Sequence, residues 1–493
     1  MDRQRQNRLK YLRQNRQYLS NRELQELERL EVAASSTTEA EPNNYRKINP
    51  HGQFAADREE FPADSFQGQR AQNRVSTNNA KKVKKNKKPK KRLTFGRFMK
   101  RLAIVLGLLL VAAIVAAFMI FSDVQNILKK TYVPTTSAAA IHPTKPLTLL
   151  LMGVDTGDAT RGGSGSWNGN SDSQIVMTLN PSTQTMTMVS MERDTMTPIL
   201  DNNGNVVSTQ KMNAAYPAGY NAGGLAMGAQ YAMSTIGTQA GIPINNFVVI
   251  NMDGLVNLVN DVGGIDVVND SGSTITIANT EPEYTATVPY ISGNPPQHIN
   301  GDQALVFSRD RDTLPNGDYG RAAHQREVLT AVFKKLLTVN SVLNYHRILT
   351  DISGDFKTNI KMNTSGLLSL MAYRGSFNKT VSIQYQGVDA TAAGSDGVYA
   401  SYQLMPANVD LAVQNILRQS IGQATSNQLS QNVVSYENYF SQDASGYYMP
   451  SATITQKGQT PTVKGIDTNG NLVPITSDNA GDYVSTTGSA AGN

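Results

Sequence analysis

The chain has 493 residues, a formal net charge of +6 and no cysteine. The missing cysteines exclude structural disulfides and Cys-ligated zinc or iron–sulfur centres, and the five histidines (His51, His142, His298, His324, His346) lack metal-ligand spacing. Much of the positive excess lies before residue 102, so the whole-chain charge says little about the larger, later part of the chain.

Residues 1–101 read as a basic, largely disordered tail. The first 35 are charged and partly helical, and 36–80 are polar with too little apolar surface to offset chain entropy. A lysine run, Lys81 to Arg92, closes the tail. Residues 102–121, LAIVLGLLLVAAIVAAFMIF, carry no charge, and as a helix they span about 30 Å, the thickness of a bilayer core. Arg97, Lys100 and Arg101 crowd the N-terminal flank, so the tail is expected in the cytoplasm and the remainder outside. The segment lies too far along the chain for an ordinary signal peptide and reads as a signal-anchor. The lysine run suits anionic membrane lipids. It has no interleaved aromatic residues and no recognition fold around it, so no nucleic-acid partner is expected.

A stalk, 122–145, leads to a domain at 146–420. The apolar run Leu147–Met152 predicts a buried strand that delivers Asp155 just beyond its end. Ser173–Leu179 and Thr185–Met191 predict two strands of a hairpin turning at 180–184. With the turn centred between Ser182 and Thr183, Asp172 and Arg193 face each other at its open end. The competing reading of that pair is a surface ion pair worth at most about 1 kcal/mol. Helices are predicted over 223–236, 255–262, 325–337 and 367–373, and strands over 247–251 and 265–268. Alternating types predict an α/β fold, a central mixed β-sheet sandwiched by helices. Residues 421–493 read as a polar Ser/Thr/Gly-rich extension with room for a few strands and an end like a solvated tail.

The chemistry concentrates between 302 and 326, DQALVFSRDRDTLPNGDYGRAAHQR. Arg309 and Arg311 share a side if the segment is extended, and Arg321 and Gln325 share a helix face. Guanidinium groups bind phosphate oxygens bidentately and stay charged, so these arginines with Arg193 can hold a pyrophosphate. Asp155 and Asp172 would repel it unless a hard cation sits between, and carboxylates plus phosphates suit Mg²⁺. The competing reading is a run of solvated charges.

The segments LLLMGVD (149–155), NSDSQIVMTLNP (170–181), VSMERDT (189–195), KMNAAY (211–216), GGIDV (263–267), ALVFSRDR (304–311) and GDYGRAAHQ (317–325) occur in one order. Together they resemble the LytR-CpsA-Psr family of cell-wall glycopolymer ligases over roughly 146–420. The resemblance implies that Asp155 and Asp172 hold Mg²⁺ or Mn²⁺. It implies that Arg193, Arg309 and Arg311 contact the pyrophosphate of a polyprenyl lipid, with Arg321, Gln325 and Lys211 close by. His324 stands where many members carry arginine. An apolar groove between sheet and helices for the prenyl tail is also implied, with 223–236 and 325–337 as walls. The implied donor is a polyprenyl-pyrophosphate-linked glycan, teichoic acid or capsular polysaccharide, and the implied acceptor is peptidoglycan. Two rival functions are a membrane-bound regulator that senses the cell wall and a hydrolase of the lipid pyrophosphate.

Overall fold

The computed structural model describes residues 130–154, 167–338, 350–361 and 364–485, with Leu27, Arg29, Glu31 and Ile348 as isolated positions. The chain divides into two compact units, Met1–Lys91 and Arg92–Asn493. The expected tail, the apolar run 102–121 and Asp155 lie outside the described residues. No described helix is long and apolar enough to cross a membrane.

Strand β1, Leu147–Gly153, pairs antiparallel with β2, Ser173–Asn180, and β2 pairs with β3, Thr185–Ser190. Ile175 lies opposite Ser190 and Asn180 opposite Thr185, the register the sequence predicts. Asn180 Oδ1 closes the turn by accepting the Ser182 and Thr183 N–H groups at 3.0 and 3.3 Å. A second hairpin comes next, β4 (Met196–Leu200) and β5 (Val206–Lys211), and then helix α1, Ala215–Ala240. Strand β6, Asn246–Ile250, returns parallel to β1.

Helix α2 (Met252–Asp261) precedes a small sheet of β7 (Ile265–Val267) and β8 (Gln297–Ile299). Helix α3, Gly301–Arg309, opens on a capping box between Asn300 and Gln303, and α4 spans Gly317–Thr338. Then come β9 (Phe356–Thr358), α5 (Thr364–Met371), β10 (Lys379–Gln384) and the hairpin β11 (Val388–Ala393) and β12 (Tyr399–Leu404). Helices α6 (Ala407–Ser420) and α7 (Tyr436–Phe440) lead to β13 (Ser451–Gln456), β14 (Thr462–Ile466) and β15 (Leu472–Pro474).

Nine strands form the central sheet in the order β15-β14-β13-β10-β3-β2-β1-β6-β9, with parallel pairs β1·β6 and β3·β10 among antiparallel ones. Alternate side chains leave on opposite faces. Leu150, Met152, Val176 and Val189 pack with Ala229, Met233 and Ile236 of α1 and Val409, Val413 and Ile416 of α6. Leu149, Leu151, Ile175 and Met177 pack on the other face, beside Leu329 and Phe333 of α4. The predicted sandwich around a mixed sheet is the observed architecture.

Three local expectations need correction. The helix expected from 223 begins at Ala215, and Gly223 and Gly224 break it, with Gly224 at φ 73°. Arg309 is not in an extended segment: it ends α3, so it and Arg311 do not follow a strand's alternation. The boundary expected at 420 cuts through the sheet, because β13 pairs with β10 along six residues.

Candidate functional site

The C-terminal ends of β1, β3 and β6 and the start of β2 meet at one edge of the sheet. In open α/β sheets, ligands bind beyond such carboxyl ends. Asp172 immediately precedes β2 and Arg193 lies three residues past β3. The hairpin register brings Arg193 Nη1 to 3.6 Å from Asp172 Oδ1. Asn213, just after β5, donates to Asp172 Oδ1 at 2.9 Å. Lys211, the last residue of β5, reaches Asp194 Oδ1 at 2.8 Å.

Helix α4 closes the cluster from the other side. Arg193 Nε donates to Asp318 Oδ2 at 2.9 Å and stands 3.5 Å from Asp194. One helical turn separates Asp318 from Arg321, whose Nη2 lies 3.1 Å from Asp318 Oδ2. A turn later, Gln325 accepts from Ser173 Oγ at 2.9 Å and donates to the Ser308 carbonyl at 3.2 Å. It thereby ties the start of β2 to the end of α3. Arg326, fully enclosed, donates to Ser190, Ser382 and Gln384, and burial lowers its pKa to about 10.

Burial alone would lower the pKa of Arg193, but Asp318, Asp172 and Asp194 outweigh it and raise the value. Arg321 goes the other way, because burial prevails over its carboxylate neighbours. Glu192 is raised to about 7, first by burial and then by Asp318 and Asp194. With Glu192 protonated, Arg193, Lys211 and Arg321 balance Asp172, Asp194 and Asp318. Such a cluster has no spare positive charge for an incoming polyanion unless a cation joins it.

Glu192, Asp194 and Asp318 each offer an oxygen within 4.8 Å of the others. Asp318 Oδ1 is buried without a hydrogen-bond partner. A hard-oxygen set with an unsatisfied oxygen suits Mg²⁺. Of the expected metal pair, Asp172 borders this cluster and Asp155 lies outside the described residues.

The structure thus brings together Arg193, Asp172, Lys211, Arg321 and Gln325, and it gives Arg309 and Arg311 other partners. Arg309 places Nη2 at 2.7 and 2.6 Å from the two carboxylate oxygens of Glu281 and lies over the Tyr284 ring. Arg311 is exposed beside Asp312. His324 stacks on Phe307, its Nδ1 3.2 Å from the Phe307 carbonyl oxygen and its Nε2 3.5 Å from Asp270 Oδ1. Sequence reasoning passes over Glu192, Asp194, Asn213 and Asp318. Asp318 is within its reach, since it precedes Arg321 by three residues, the spacing of a helical ion pair.

Residues 117–452 match the family described as LytR_cpsA_psr family. The chain is 39% identical over 323 residues to Biofilm regulatory protein A of Streptococcus mutans, covering 64% of this chain and 75% of that protein. It is 36% identical over 326 residues to the polyisoprenyl-teichoic acid–peptidoglycan teichoic acid transferase TagU of Enterococcus faecalis, covering 65% of this chain and 96% of that one. A crystal structure of a Streptococcus agalactiae protein superposes with a TM-score of 0.53 at 42% identity, covering 61% of this chain and 96% of that chain. With the match spanning well over half its length, the chain belongs to the LytR_cpsA_psr family.

Proposed function

We propose that this protein transfers a glycopolymer, teichoic acid or capsular polysaccharide, from a polyprenyl-pyrophosphate carrier to a peptidoglycan hydroxyl. One observation carries the reading. Arg193, Lys211 and Arg321 converge at the strand ends in a chain with extensive identity to a teichoic acid transferase. In the reaction the acceptor oxygen bonds the glycan-side phosphorus. The bond between the two phosphates breaks, the lipid phosphate leaves with the electron pair, and the hydroxyl proton is released. Arg193 and Arg321 hold the pyrophosphate and neutralise charge that builds on the leaving phosphate. Lys211 keeps Asp194 turned toward β5.

Asp172 with Asp155, or the Glu192–Asp194–Asp318 oxygens, would hold Mg²⁺ or Mn²⁺, which would supply the positive charge the cluster lacks. The apolar run 102–121 serves as the single membrane anchor, with the basic tail in the cytoplasm and the site outside, at the outer leaflet where the lipid donor resides.

The name of the Streptococcus mutans relative favours a second reading, a regulator that binds the lipid without turnover. The full chain in lipid nanodiscs, given a lipid-pyrophosphate glycan, Mg²⁺ and peptidoglycan, separates these. Covalent attachment that Arg193→Ala reduces by about 100-fold or more, as loss of a charge-stabilising donor does, supports transfer. Free phosphorylated glycan without attachment means hydrolysis, and lipid binding without turnover means the regulator.

A further inference from the structure

The hairpin β11–β12 touches the candidate site at its inner end. The Gln403 N–H donates to the Asp194 carbonyl at 2.9 Å, and Gln403 Oε1 accepts from the Tyr319 hydroxyl at 2.7 Å. Tyr319 lies between Asp318 and the Gly320–Arg321 turn of α4. From this anchor the hairpin runs outward.

Its two faces differ. Ala392, Tyr402 and Leu404 are buried with Met196, beside Val434, Tyr436, Tyr439 and Phe440. The opposite face is open and pairs Asp389 with Gln403, Thr391 with Ser401 and Ala393 with Tyr399 across the strands. Gln403 Nε2 donates to Asp389 Oδ1. From Gln403 to Tyr399 the open face extends about 14 Å at the rise of an antiparallel strand, longer than one pyranose ring.

Beside it lies the β4–β5 hairpin. The Ser395 N–H donates to the Thr209 carbonyl and the Thr209 N–H to Ser395 Oγ, both at 2.9 Å. The two hairpins therefore form one shelf. The two hairpins carry the exposed Val206, Val207, Val398 and Tyr399, the last 73% exposed. Large apolar side chains left open to solvent are available to a binding partner.

Charge selects the occupant. The two hairpins hold one cation, Lys211 at the inner end, and Asp194 takes it at 2.8 Å, whereas the outward stretch from Gln403 to Tyr399 holds no lysine or arginine and Asp201, Asp389 and Asp396 lie on the hairpins. A polyphosphate chain or an anionic lipid headgroup would be repelled here. A neutral sugar chain fits: its hydroxyl and amide groups meet Thr391, Ser401, Gln403 and Asp389, and the apolar face of a ring stacks on Tyr399.

We infer that the open face of the β11–β12 hairpin, from Gln403 to Tyr399, is the docking track for the amino-sugar backbone of the peptidoglycan acceptor. The inference rests on the transferase reading, and it assigns the acceptor to the shelf and the lipid donor to the arginine cluster.

The test uses full-length protein in nanodiscs with two readouts: retention on peptidoglycan stripped of teichoic acid, and separate KM values for acceptor and donor. Tyr399→Ala, and Thr391→Ala with Ser401→Ala, should each weaken retention and raise the acceptor KM about fivefold to tenfold, the effect of losing one stacking or bonding contact. The donor KM should stay within twofold of wild type, and Tyr399→Phe, which keeps the ring, should retain binding. Normal transfer with unchanged acceptor KM and retention would overturn the track while leaving the transferase standing. A raised donor KM, or loss of binding to anionic vesicles instead, would assign the shelf to another occupant and also overturn it. Tyr399-dependent retention without any transfer by the wild type would keep the track and sink the transferase reading.

Discussion

Glu192 is a carboxyl group that burial and two acidic neighbours keep protonated up to about 7, against an ordinary value of 4.5. Between those values the folded chain keeps a proton that the unfolded chain has released, so this residue's contribution to stability falls as pH rises through that window. Glu192→Gln removes the effect. The variant should gain roughly 3 kcal/mol relative to wild type above pH 7 and little at pH 4. Thermal unfolding with a chelator present checks this, and a difference that does not change with pH would rule it out. Arg309 poses a separate question, because Glu281 takes its Nη2 through both carboxylate oxygens. If Arg309 is to contact the donor pyrophosphate, that pair must break first, and Glu281→Gln should tighten lipid-pyrophosphate binding severalfold, by roughly 1 kcal/mol. Unchanged affinity would leave Arg309 a structural residue. The pairing of Asp172 with Arg193 is legible in the sequence because a hairpin turn fixes the register of everything beyond it. The place of Arg309 is not, since two residues of spacing carry no meaning once a helix ends between them.

Helix α1 shows why element type is easier to read than element shape. Its run of alanine, methionine and leucine predicts a helix, but Gly223 and Gly224 look like its start when they are its kink. The two halves pack so closely that a Cβ on Gly219 would stand 2.5 Å from the Met227 carbonyl oxygen, and one on Gly228 2.9 Å from that of Tyr216. That crowding comes from tertiary packing, which a linear pattern does not contain. Gly219→Ala should therefore destabilise the fold by about 1–3 kcal/mol, the usual cost of overpacking, although alanine favours helices elsewhere. Chemical unfolding measures it, and a variant as stable as wild type would mean the halves can part. Because the first half of α1 comes just after Asn213 and packs Tyr216 in the core, the same variant should also weaken lipid binding.

The sheet runs without interruption from β9 through β10 to the strands after residue 450. The segment SATITQ reads as part of a polar extension because only alternate residues enter the core, Ala452 fully and Ile454 partly. Ile466 joins the same core, and Asn415 of α6 donates to the Thr468 and Ser426 carbonyls, binding the last strands to the helix layer. Removing them would strip β10 of one hydrogen-bonded neighbour and expose Val381 and Ile383 at a new edge. An unpaired apolar edge pairs with other chains. A chain ending at Ser420 should consequently aggregate or unfold at lower denaturant, losing several kcal/mol, whereas one ending at Ser485 should match the full chain. Equal stability for both would mean that β13–β15 only decorate the sheet. Strand β10 also carries Ser382 and Gln384, which hold the buried Arg326 one residue past Gln325. Loss of the last strands should therefore reach the arginine cluster and reduce transfer even in whatever fraction stays folded.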